Sequence, residues 1–179
     1  ALQDPTAEKF KTSKEKFEAL AKALDEVRVK HPGSEAAATA TLFWADAQFH
    51  LGKLDEAANG YDQFLALTRE GNALRSMALE GLGYVAESKK DFAKAADAFD
   101  RMSKAAAGEP AKARAAYHRA RMLEAQGKKA EAATAFGALR DEFKDAPAAR
   151  EAEERLSLLA MQGVAVPEKK ADKPAEKKN

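Results

Sequence analysis

Three pairs of alanine and an aromatic residue, each four positions apart, recur along this chain: Ala57 with Tyr61, Ala95 with Phe99 and Ala132 with Phe136. Successive pairs are 38 and 37 residues apart, and so are the turn positions Gly52, Lys90 and Gly127. A spacing of four puts both members on one helical face, where the small residue admits a neighbouring helix and the ring fills the space beside it. A sequence built this way must stack copies of one helical hairpin, because a lone hairpin cannot bury its apolar face. An all-α chain follows, with essentially no strand.

The middle copy is the clearest. Leu79, Leu82 and Gly83 mark its first helix and Phe92, Ala95, Phe99 and Met102 its second. Its turn at Lys90-Asp91 either needs no left-handed glycine or lacks an optimal one. The preceding hairpin spans residues 35–51 and 54–68, turns at Gly52 and closes at Gly71-Asn72. The following one spans 111–143, turns at Gly127 and follows Pro110, which suits a first helical turn.

Before these copies, residues 5–30 carry Phe10, Phe17, Leu20, Leu24 and Val27 along one stripe, with Pro5 expected in the first turn. His31-Pro32-Gly33 should end this helix and Ser34 cap the next. Leu24 precedes Pro32 by eight residues, as Leu139 precedes Pro147, so the first helix is a half-repeat cap. Residues 148–161, with Ala152, Leu156 and Leu159 on one stripe, form the opposite cap. Eight antiparallel helices result, wound into a right-handed superhelix over residues 5–161. Residues 1–4 are expected to be disordered, as is 162–179, where Pro167, Pro174 and five lysines replace any helical stripe.

Composition narrows the partners. Lysine and arginine number 30 against 29 acids, which leaves no whole-molecule attraction for nucleic acid or an anionic surface. Cysteine is absent, which removes disulfides and thiolate chemistry. No run approaches the roughly 18 apolar residues that cross a bilayer. The first residue is Ala1, and an N-terminal addressing or anchoring segment is expected to have been removed ahead of it.

No catalytic, cofactor or metal constellation is present. His31, His50 and His118 form no metal-ligand spacing, and Gly81-Leu82-Gly83 lies inside a helix and lacks the further glycine of a phosphate loop. The acidic pairs Asp55-Glu56 and Glu153-Glu154 suit helix starts and polar faces. The chain is therefore not expected to be an enzyme. Trp44 aligns with Leu82 and should fill space between helices.

Stacked hairpins of this kind line a concave face with their first helices. Three register columns follow: Thr39, Met77 and Arg114; Leu42, Glu80 and Tyr117; Asp46, Tyr84 and Arg121, with Phe43 and His118 beside them. Phe43, Asp46, Met77, Glu80, Tyr84, Arg114, Tyr117, His118 and Arg121 are the candidate partner-binding residues. Aromatics mixed with both signs of charge suit a protein or peptide, with Tyr84 and Tyr117 as anchors and Arg114 and Arg121 orienting it.

The three alanine-aromatic signatures, together with Leu82-Gly83, resemble the tetratricopeptide repeat superfamily. The repeats exceed its standard length of about 34 residues, through longer loops or an extra part-turn of each second helix. Ala116, Arg119 and Ala120 depart from the bulky, leucine and glycine positions in the third copy. The family's lysine and asparagine clamp for a C-terminal carboxylate is missing from the columns, which argues against an adaptor for chaperone tails. The segments KHPGSEAAATATLFWADAQFHLGKLDEA and FGALRDEFKDAPAAREAEERL look like bacterial cell-envelope members, similar to the membrane-anchored ancillary subunit of the secretion translocon. The resemblance implies a non-catalytic periplasmic scaffold for a client, chaperone or complex subunit, attached to the membrane only through a preceding anchor. A lipid-anchored outer-membrane or envelope-complex assembly factor is the alternative function, and the cytoplasm the alternative location.

Overall fold

The computed structural model describes residues 10–169, and within them the chain forms eight α-helices and no strand. These are α1 Ser13–Lys30, α2 Glu35–His50, α3 Leu54–Leu67, α4 Arg75–Ser88, α5 Phe92–Ala105, α6 Glu109–Ala125, α7 Lys129–Glu142 and α8 Pro147–Met161. The expected number of helices and the three hairpin turns are all present. The expectations for residues 1–9, Pro5 in a first helical turn among them, and for 170 onward lie outside the described residues.

Local chemistry explains most helix ends. Ser34 Oγ accepts the Ala37 N–H and donates to the His31 carbonyl, closing the turn between α1 and α2. Helix α1 begins at Ser13. Thr12 Oγ1 accepts the Glu15 N–H while Glu15 accepts the Lys11 N–H, a near capping box at its start. Gly52 and Gly127 turn their hairpins with φ of 75° and 79°, and Lys90 holds the equivalent place at 60°. The second hairpin thus needs a left-handed residue and lacks the glycine suited to it.

The extra repeat length is placed differently in each interval. All three second helices, α3, α5 and α7, run 14 residues, so they do not distinguish the two intervals. The first interval is lengthened by the connection 68–74, which Arg75 pins by donating to the Leu65 and Thr68 carbonyls at 2.6 and 2.7 Å. The second is lengthened by α6, which runs 17 residues against 14 in α4.

The chain divides into two compact units, one up to Ala107 and one from Gly108. In the first, α1 packs on α2, α2 on α3, α3 on α4 and α4 on α5. Its core holds Leu42, Tyr61, Phe64, Phe99 and Met102, all essentially without exposure. The helices approach closely because Gly81 and Gly83 have no side chain: a Cβ there would overlap the rings of Tyr61 and Phe99. Trp44 is half-buried beside Gly60 and under the Arg28 guanidinium, 4.2 Å away, filling space between helices as expected.

In the second unit α8 packs on both α6 and α7. Its core joins Ala120, Phe136, Leu139, Ala152, Leu156 and Leu159. Ala120 is fully buried there, so it takes the close-packing position usually given to glycine. Residues beyond α8 do not leave the protein at 162. Gly163 turns the chain, Val164 packs on the apolar cluster, and Arg140 donates to the carbonyls of Pro167 and Glu168. The disorder expected from residue 162 therefore does not hold for 162–168, because nonlocal contacts supply what the local sequence lacks.

Candidate functional site

A cleft of about 430 Å³ opens in the first unit between α1, α2, α3 and α4. Its walls include Phe43, Asp46, Met77, Glu80 and Tyr84, which are all the candidate residues that fall in this unit. The 38-residue register accounts for that convergence. Thr39, Leu42 and Asp46 sit on α2 where Met77, Glu80 and Tyr84 sit on α4, one helical turn at a time. Leu42 departs from its column: it is fully buried in the core, and Phe43 next to it reaches the cleft instead.

The rim is apolar and open. Leu20, Phe43 and Met77 are each exposed to 38–39%, unusual for large apolar side chains grouped in one place. Phe17 stacks on His50 with centroids 4.3 Å apart and rings nearly parallel, at 11°. The floor is polar. Tyr61, rooted in the core on α3, donates its hydroxyl to Asp46 Oδ1 at 2.6 Å, and Tyr84 donates to Glu80 Oε1 at 3.3 Å. Phe49 lies 6.4 Å from Tyr84, which in turn meets Phe99 edge to face at 5.9 Å.

Burial, opposed by the Tyr61 hydrogen bond and the nearby His50, pushes the Asp46 carboxyl above its ordinary range. Burial and the same Asp46 partner push the Tyr61 hydroxyl far up, so it stays protonated and able to donate. The cleft thus joins an apolar rim to two carboxylate-bearing residues in the floor. Such a surface fits an apolar segment that also carries a basic group.

The other candidates lie on α6 in the second unit and are described within it. Arg114 is exposed, and Tyr117 is half-buried against Phe136, with ring centroids 5.7 Å apart. Burial is the first cause raising the Tyr117 hydroxyl, with Glu151 adding to it. His118 is only 7% exposed, and its Nδ1 lies 3.0 Å from Arg121 Nη1. So little of His118 reaches solvent that it offers scant surface for direct contact.

Phe17, Leu20, His50 and Tyr61 belong to the cleft and were not among the sequence candidates. Phe17 and Leu20 are visible as part of the α1 stripe, but nothing in the repeat register assigns that helix to the same cleft. Tyr61 is the aromatic member of the first signature, and its hydroxyl is the part that periodicity does not reveal. Among the described residues no three metal-ligating side chains converge. No described helix is long and apolar enough to cross a membrane.

A family model for the Tetratricopeptide repeat matches residues 114–146. No curated protein matches the sequence. Among solved structures, a Podosopora anserina protein assigned to the kinesin light chains, with nearly identical TPR-like repeats, is 13% identical with a TM-score of 0.67, covering 82% of this chain and 79% of that one. MamA is 14% identical with a TM-score of 0.56, covering 86% and 96%. At such identities the likeness shows the fold alone, an all-α tetratricopeptide-like arrangement of helical hairpins.

Proposed function

From this tetratricopeptide-like fold, we propose that the chain is a non-catalytic protein-interaction scaffold of the bacterial cell envelope. It binds a client, chaperone or complex subunit through the cleft between α1, α2, α3 and α4. The observation that carries this reading is the grouping of exposed Leu20, Phe43 and Met77 over a floor of Asp46, Glu80 and Tyr84. Apolar side chains held open to water at the mouth of a cleft favour a partner that covers them. The periplasmic location, at a membrane to which a preceding segment would fix it, rests on the resemblance of the segments around residues 30–57 and 136–156 to envelope proteins of this fold.

The partner is a protein segment with apolar side chains for the rim and a lysine or arginine for Asp46 and Glu80. A photo-crosslinking residue at Tyr84, compared with one at Lys94, tests this in cells, with adducts identified by mass spectrometry. Lys94 is exposed on α5 and is not part of the cleft wall. One envelope protein captured at Tyr84 alone is the expected result. Capture at Lys94 alone, or at neither position, would remove the cleft from consideration, and a cytoplasmic adduct would remove the location.

A further inference from the structure

Gly137 is buried in α7. The three heavy atoms nearest to the place its Cβ would take all belong to Pro167, and a Cβ would overlap that ring. Glycine disfavours a helix interior relative to alanine, so this position is explained by what lies on it. One turn further on, Arg140 is 8% exposed and faces the same segment. Its guanidinium donates to the Pro167 carbonyl at 3.4 Å and to the Glu168 carbonyl at 2.9 Å, while its Nε holds Asp141 at 2.9 Å. Val164 supplies an apolar foot in the core of the same unit.

Residues 164–168, Val-Ala-Val-Pro-Glu, are thus held by an apolar seat, a slot shaped for a proline ring and a fork that takes successive backbone carbonyls. Extended peptides are recognised in this way, with main-chain groups giving affinity and pockets giving selectivity. The helices beneath pack through Phe136, Leu139, Ala152, Leu156 and Leu159. We infer that the Gly137–Arg140 face of α7 is a binding site for an extended apolar-x-x-Pro segment, and that residues 164–168 are its resident and displaceable occupant. A segment of the same pattern from another protein enters only by evicting the chain's own.

The test uses the full chain and a fluorescein-labelled peptide of residues 163–170, Gly-Val-Ala-Val-Pro-Glu-Lys-Lys. Pro167→Asp empties the slot by placing a charge in it. Fluorescence anisotropy should show the peptide binding this variant at least about tenfold more tightly than the parent, whose tethered segment competes at an effective concentration on the order of millimolar. Adding Gly137→Val to Pro167→Asp should abolish binding. Equal binding to parent and Pro167→Asp, binding that survives Gly137→Val, or none to Pro167→Asp would each overturn the assignment. Glutamyl endopeptidase gives a second readout. Gly137→Ala should speed cleavage after Glu168 severalfold while cleavage after Glu142 keeps the parent rate, and an unchanged rate after Glu168 would also overturn it.

Discussion

Lys90 occupies a backbone position that its two counterparts give to glycine. Its φ of 60° matches the 75° and 79° of Gly52 and Gly127, and a side chain in that region costs roughly 1–2 kcal/mol, offset in part by the greater unfolded-state freedom of glycine. Lys90→Gly is expected to stabilise the first unit by about 0.5–1 kcal/mol, seen as a higher denaturant midpoint. A lower midpoint would mean that the lysine side chain contributes something the backbone does not reveal. Asp46 offers a test by pH. Its folded pKa lies above the unfolded value of 3.8, so its contribution to stability is full below 3.8 and is lost as pH rises through the folded pKa. Asp46→Asn keeps an acceptor for the Tyr61 hydroxyl and carries no charge. It should melt no lower than the parent at neutral pH, with any advantage shrinking as pH falls toward 3.8; an advantage that grows on acidification would contradict the burial argument.

Arg28 does at the level of elements what no single repeat signature encodes. From α1 it donates to Thr41 on α2 at 3.2 Å and to Gln63 on α3 at 3.0 Å, pairs with Asp25 and covers the Trp44 ring. A planar fork with a stacking face suits this, and lysine does not. Arg28→Lys should therefore destabilise the first unit nearly as much as Arg28→Ala, by about 1–2 kcal/mol in thermal or urea unfolding. A lysine variant as stable as the parent would reduce the clamp to a matter of charge. The helices were largely legible in the sequence because their signals are local. The stripes, Ser34, Pro110 and the hairpin glycines act within a turn or two of where they stand. At the start of α1 the signal is Thr12-x-x-Glu15, which is equally local.

For the molecule as a whole, the cleft makes a prediction that separates binding from folding. Phe43 and Met77 are each 38% exposed, so Phe43→Ala with Met77→Ala should change stability by no more than about 1 kcal/mol in all. The same pair should reduce partner capture from Tyr84 severalfold, and capture at the parent level would show that the apolar rim is not the contact. Five cleft residues were found from the sequence because α2 and α4 repeat each other at a fixed interval, which puts equivalent positions side by side. Phe17, Leu20 and Tyr61 were not, since the capping helix and the second helix of the hairpin enter the cleft at angles that no repeat interval specifies, and His50, at the end of α2, lies outside the three register columns.

By itself the sequence determined the helical class, the eight elements and the turn positions, because each follows from periodicity and from backbone preferences acting over a few residues. Only the tertiary structure decided that Leu42 is withdrawn from its column into the core, that His118 is buried beside Arg121, and that residues 164–168 lie on α7 instead of leaving the protein. Each of these depends on the rotation of one helix against another or on a contact between residues far apart in sequence. Such contacts arise from packing, which no local pattern records.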